Sequence, residues 1–223
     1  LYALECNGAM INREAVPLVI KEIEEQMDKA LKAFIAACPK PVLDVHGKNM
    51  KLSRRRIITD ALFNYELPDG TSCDIGYHLP PVEISPKSKL PVCDKDILIQ
   101  ILDAPDVAEK AKQMIEAYND WSKYNTLITR YIPQILASIG PDGRVHPSYS
   151  TTYTSSGRTG ARNPSVQNLP KRSDVAPLIR RLFVAPPNKV LMEADMSMSE
   201  LRWVADIADE PYMKEIFRTG KDM

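Results

Sequence analysis

The stretch "EADMSMSELR", residues 193–202, decides how this sequence is read. Three apolar residues, Val190, Leu191 and Met192, precede it, and the helical pattern "SELRWVADIAD" follows. A short apolar run followed by helical periodicity predicts a buried strand, "NKVLMEADMS", leading into a helix. Asp195 is therefore expected at the strand end, held rigidly and facing a cleft, with Glu200 just inside the helix. An acid in such a place is a weak signal alone. Strand ends host active sites, but most acids there cap helices or face water. Its meaning has to come from the rest of the chain.

At 223 residues with 44% hydrophobic content, the chain has the material for one large domain or two small ones. No apolar run approaches the ~20 residues of a membrane span. The opening "LYALECNGAM" lacks the basic and long apolar regions of a signal peptide, so the protein is expected to be cytoplasmic and not secreted. Cys6, Cys38, Cys73 and Cys93 form no CxxC pair, and His46, His78 and His146 are scattered. These spacings argue against a zinc site and fit reduced thiols.

The formal net charge is zero, but its distribution is uneven. Between residues 151 and 184, Arg158, Arg162, Lys171, Arg172, Arg180 and Arg181 face one acid, Asp174. Lys48, Lys51, Arg54, Arg55 and Arg56 form a second cluster without acids. Local basic patches on a neutral chain suit contact with phosphate on chosen faces; a solvated surface is the plain alternative.

Two long helices are expected. Asn12 is placed to cap one that runs to about Ala37, with Val16, Val19, Ile23, Ala30 and Phe34 along one face. The other spans about Pro105 to Tyr131, capped by Asp103 or Asp106, with Pro133 disturbing its end. Residues 39–95 carry seven prolines and the turn signal "PDG"; they read as mostly loop, an exposed and mobile subdomain with a short helix near 54–63. "PDGRVHPSYSTTYTSSGRTG" reads as a hairpin. "PYMKEIFRTG" reads as a last helix, capped by Asp209 and ended by Gly220.

Four segments in order, "SGRTGARNPSVQNLPKR", "IRRLFVAPP", "EADMSMSELR" and "IFRTGKDM", resemble the palm of family A DNA polymerases, the polymerase I family. "ECNGAMINREAV", "WSKYNTL" and "DGRVHPSY" are similar to that family's thumb and first palm strand. One such motif would be weak; ordered and similarly spaced, they are strong, and they cover nearly the whole chain except about 64–95. The resemblance implies an α+β fold, a helical thumb followed by a partial antiparallel-sheet palm of a right-hand polymerase. The expected domains are a thumb with its base helices over 1–135, its irregular tip about 40–95, and a partial palm over 136–223.

The resemblance also implies roles. Asp195 is expected as one of two metal-binding carboxylates for a pair of Mg²⁺ ions, with the backbone carbonyl of Met196 as a further ligand. Glu200 is implied under the incoming sugar, where it excludes a 2′-hydroxyl. Arg158 is implied at minor-groove acceptors near the primer terminus, which every base pair offers, so the contact checks shape rather than sequence. Gln167 and Asn168 suit the same face, and Arg172 is similar to the arginine that approaches the nucleotide phosphates. Lys48, Lys51, Arg54, Arg55 and Arg56 are expected to grip the duplex backbone in a salt-dependent way. Arg202 is expected in a buried ion pair.

Met196, Met198 and Ser199 depart from the family's motif, which puts fidelity and sugar choice in question. Nothing in the sequence resembles the fingers helix or the segment with the second metal carboxylate, and one carboxylate does not hold two Mg²⁺ ions usefully. The expectation is a polymerase portion that is inactive alone and completed by a C-terminal fragment, with primer-template DNA and dNTPs as partners, in a bacterial or phage-infected cell. The alternative is a non-catalytic duplex-DNA-binding or accessory protein.

Overall fold

Residues 1–47, 51–53, 55–67, 69–171 and 173–220 are described in the computed structural model. They form two compact units, Leu1–Val184 and Ala185–Met223. The first unit begins with α1 (Tyr2–Asn7) and β1 (Ala9–Ile11), which lead into the long helix α2 (Ala15–Ala37). Glu14, not Asn12, is the N-cap of α2, although the Asn12 side chain still accepts a hydrogen bond from the Ala15 amide at 3.2 Å. The apolar stripe is buried, with Ile23 and Phe34 fully enclosed. Each such side chain contributes roughly 1.5–3 kcal/mol relative to exposure. Cys38 is already extended, and Pro39 prevents continuation.

The proline-rich stretch departs from the sequence reading. Besides the short helix expected near 54–63, it contains a helix before it and two strands after it. In chain order these are α3 (Lys40–His46), the expected helix as α4 (Arg55–Leu62), and the short strands β2 (Tyr65–Glu66) and β3 (Ser72–Cys73), which pair antiparallel. It is not an exposed subdomain. Val42, Leu52, Ile57, Ile58, Leu62 and Phe63 are buried in one core with Phe34 and Met114. Prolines here limit helix length, and Pro41 sits in the first turn of α3 where no amide is missed. They do not stop the apolar residues between them from packing.

A helix absent from the sequence reading, α5 (Lys95–Asp103), follows; the Asp94 carboxylate caps it by accepting from the Ile97 amide at 3.0 Å. The next helix begins later than expected. α6 (Glu109–Thr126) has Ala108 at its N-cap, not Asp103 or Asp106. It passes through a π-turn, Leu127–Tyr131, into α7 (Ile132–Ala137), so Pro133 does not end the helical run. The start of α2 shares a core with Leu127, Ile132 and Ile135, and its end shares one with Ala111 and Met114. The two long helices thus pack antiparallel.

β4 (Arg144–Val145), β5 (Ser148–Ser150), β6 (Gly160–Arg162), a 3₁₀ turn (Val166–Asn168), α8 (Ala176–Arg180) and β7 (Phe183–Val184) complete the unit. Only part of the expected hairpin forms: Tyr149 on β5 faces Ala161 on β6. β4 instead joins β1 and β7 in a three-stranded antiparallel sheet, where Met10 faces both Arg144 and Val184.

The second unit holds α9 (Ser199–Ile207) and α10 (Pro211–Thr219). Glu210, not Asp209, caps α10 by accepting from the Tyr212 amide at 3.0 Å, and Gly220 ends it at φ +68°. The strand expected over 188–197 does not form. A strand exists only as one side of a ladder, and among the described residues no strand pairs with this stretch. Val190, Leu191 and Met192 are exposed instead of buried. The α+β class read from the sequence holds. Among the described residues no helix is long and apolar enough to cross a membrane.

Candidate nucleic-acid and nucleotide site

Within the second unit, Asp195 lies on an exposed, irregular stretch rather than at a rigid strand end. Met198, three residues on, adopts the left-handed conformation at φ +51° and forms the N-cap of α9. A non-glycine residue there carries strain of the kind found at functional turns. That turn projects Asp195 ahead of the helix and places the exposed Glu200 in its first turn, where the helix dipole favours an anion. Arg202 corrects an expectation. It is exposed, and among the described residues it makes no buried ion pair: its Nε donates to the Ser197 carbonyl at 2.9 Å, and its guanidinium lies over the Phe217 ring at 4.8 Å. Arg202 therefore braces the turn that carries Asp195. A cleft of about 360 Å³ lies alongside, lined by Met196, Ser199, Arg202, Trp203 and Phe217.

The remaining candidates belong to the first unit. Arg158 is exposed in the turn between β5 and β6, after Gly157 at φ +70°, and its carbonyl accepts from the Thr154 hydroxyl at 2.7 Å. Gly160 has an internal reason to be glycine. A Cβ there would stand 3.0 Å from the Cβ of Tyr153, whose ring carries the Arg162 guanidinium at 4.0 Å. Gln167 and Asn168 are exposed on the 3₁₀ turn, and the Asn168 amide donates to Ser165 Oγ at 2.8 Å. Arg172 lies outside the described residues.

Of the basic cluster, Lys48 and Arg54 also lie outside the described residues. Lys51 and Arg55 are exposed. Arg56 is turned toward the core: its Nε donates to Asp60 Oδ1 at 2.6 Å and its guanidinium lies 5.5 Å from the Tyr65 ring centre. His46 Nε2 stands 3.0 Å from the other oxygen of Asp60, and the Tyr65 hydroxyl donates to Oδ1. Burial and the neighbouring Asp60 carboxylate push the Tyr65 phenol well up. The sequence reading missed this buried polar knot. Its one visible signal was an acid four residues after an arginine, amid the apolar positions of α4.

Three thiols, Cys38, Cys73 and Cys93, are buried; burial pushes Cys38 and Cys93 up to about 12, which rules out ready nucleophiles at neutral pH. Among the described residues no group of three or more His, Cys, Asp or Glu side chains is arranged to hold a metal. Asp195 and the Met196 carbonyl offer hard oxygen donors of the kind Mg²⁺ takes, but two such donors would fill only part of a six-coordinate shell.

Residues 21–223 match the family model described as DNA polymerase family A. The chain is 27% identical to DNA polymerase I of Caldicellulosiruptor bescii over its whole length, while covering 23% of that protein. To DNA polymerase I of Pseudomonas aeruginosa it is also 27% identical over its whole length, covering 22% of that protein. Over 114 residues, 51% of this chain and 12% of the relative, it is 34% identical to DNA polymerase I of Deinococcus radiodurans. Its fold is similar to the POL domain of Pol1 from M. smegmatis, solved in complex with DNA primer-template and dNTP. The TM-score is 0.67 at 21% identity, over 98% of this chain and 34% of that one. The chain thus spans less than a quarter of the length of these curated relatives.

Proposed function

The chain belongs to DNA polymerase family A, and from that premise we propose that it is the thumb and part of the palm of a template-directed DNA polymerase, acting on primer-template DNA and dNTPs. The observation that carries this reading is the Asp195 turn. An exposed carboxylate stands ahead of a strained left-handed residue and a short helix that bears Glu200 in its first turn. A duplex clamp without chemistry has no use for that arrangement.

Asp195 and the Met196 carbonyl would hold Mg²⁺, and the ion supplies charge neutralisation on the transferring phosphates. Glu200 occupies the sugar position and disfavours a 2′-hydroxyl. Arg158, Gln167 and Asn168 present donors to the minor-groove face of the primer terminus, and Arg172 serves the nucleotide phosphates. Exposed Lys51 and Arg55, with Lys48 and Arg54, meet the duplex backbone. On this reading the 223 residues supply one metal carboxylate, Asp195. The second, together with the triphosphate-binding fingers, comes from a C-terminal polymerase segment, without which this stretch is inactive.

Primer extension tests the reading. With that segment, Mg²⁺, primer-template and dNTPs supplied, the chain extends the primer, and Asp195→Ala abolishes extension while duplex binding persists. A folded, complete assembly that binds duplex but never extends it points instead to a non-catalytic DNA-binding protein.

A further inference from the structure

The π-turn at Leu127–Tyr131 is a local fault in a long helix, and the side chains around it make it possible. Pro133 has no amide to donate, and its ring crowds the carbonyl four residues back, that of Thr129. Widening the preceding turn relieves that crowding. The hydroxyls of Thr126 and Thr129 donate to the carbonyls of Ser122 and Asn125 at 2.8 and 2.6 Å, which keeps backbone acceptors around the widened turn satisfied. One extra residue in a turn rotates the downstream side chains by about 100° around the helix axis. Tyr131 is the last residue of the turn. Its hydroxyl donates to the Asn168 carbonyl at 3.1 Å, across 37 positions of sequence, and its ring has the Arg130 guanidinium 5.8 Å from its centre. Leu169, next to Asn168, packs against the core that Tyr124, Ile128 and Tyr131 border. Lys123 and Asp174 face each other at 3.9 Å beyond it.

The geometry points to Tyr131 as a positioning residue, which fixes the Val166–Asn168 turn and so the direction in which Gln167 and Asn168 present their amides to DNA. This rests on the proposed reading that those amides meet the primer terminus. Within the 3₁₀ turn the Asn168 side chain donates to Ser165 Oγ at 2.8 Å, and Tyr131 ties the end of the turn to the helix across the chain. A hydroxyl delivered by a rigid helix restrains its carbonyl without occupying either amide.

Tyr131→Phe in the complete polymerase removes that one hydrogen bond and leaves the ring. Its expected effect is a three- to tenfold rise in KM for primer-template and a similar fall in discrimination against a mismatched primer end, about what one neutral hydrogen bond carries. The unfolding midpoint falls by no more than the few degrees that one exposed hydrogen bond carries, and kcat on saturating matched DNA stays unchanged. Gln167→Ala separates the two claims. If it lowers mismatch discrimination and Tyr131→Phe does not, the positioning role is overturned. If Gln167→Ala is itself silent, the amide reading falls and takes this inference with it. A Tyr131→Phe protein that melts earlier and loses kcat with unchanged discrimination would mark the residue as structural only. Combined, the two substitutions cost less than the product of their separate effects.

Discussion

Arg56 and Asp60 stand one helical turn apart on α4, joined by a 2.6 Å hydrogen bond from Nε to a carboxylate that is only 5% exposed. A bond of this spacing is usually a surface pair of small worth. Here the acid end is enclosed by the core, and His46 and Tyr65 approach the same carboxylate. Asp60→Ala removes the hub and leaves the partly buried partners without an acceptor. The expected loss is about 1.5–3 kcal/mol in urea unfolding, below that of a fully enclosed pair because Arg56 still reaches water.

The same relationship divides the basic cluster. Lys51→Ala and Arg55→Ala are expected to weaken duplex binding on any sequence and to reduce the slope of log affinity against log salt by about 0.9 each. Arg56→Ala is expected to leave that slope nearly unchanged and to lower stability instead. Filter binding across a salt series, with urea unfolding beside it, separates the two behaviours.

Glu200 is exposed in the first turn of α9, so its replacement should leave the fold intact. In the complete polymerase, Glu200→Ala is expected to raise the ratio of ribonucleotide to deoxyribonucleotide incorporation by about tenfold or more, since a pocket that no longer opposes a hydroxyl discriminates weakly against one. An unchanged ratio would remove Glu200 from the sugar pocket.

Gly8 holds φ +59° and ψ −173°, a region only glycine occupies comfortably. A Cβ there would lie 2.7 Å from both the Val145 carbonyl and Cε1 of His146. Gly8→Ala is expected to cost about 1–3 kcal/mol or more, read as a lower unfolding midpoint, because the neighbouring carbonyl belongs to the sheet and yields little.

His146 gives that corner a pH dependence. Its Nδ1 lies 2.7 Å from the Glu5 carbonyl and its Nε2 lies 3.1 Å from Asp142. Both neighbours are acceptors, the Glu5 carbonyl first, so the imidazole is held protonated above its ordinary 6.5. A group raised on folding contributes its stability fully below the unfolded value and loses it as pH climbs through the folded one. The stability gap between the parent and His146→Gln should therefore be widest below pH 6.5 and close as pH rises. A gap that widens with rising pH would contradict the assignment.

Much of this was legible in the residues. The stripe from Val16 to Phe34 predicted a helix and its buried face, because helical periodicity is a local property of the chain. The ordered motifs from Arg158 to Arg202 pointed to the polymerase family for the same reason: they are written in consecutive residues. The packed state of 39–95 was hidden because prolines dominate the local signal there, whereas burial depends on what a distant helix such as α6 offers; α5 holds no proline and is marked locally by Asp94 ahead of Ile97, Leu98 and Ile101. The π-turn was hidden too. Pro133 announced a disturbance, but not whether the helix would stop or widen.

What the sequence determined by itself was the family and the α+β class; it also nominated the candidate groups Asp195, Glu200, Arg158 and the basic cluster. What only the tertiary structure decided was how those groups are held. Val190–Met192 carries the composition of a strand yet forms none, since a ladder needs a partner strand. Asp60 gathers His46, Arg56 and Tyr65, and Tyr131 reaches Asn168, through contacts set by packing between segments far apart in the chain. Composition and spacing specify which groups exist. Burial, hydrogen-bond partners and direction arise from long-range contacts that no local pattern encodes.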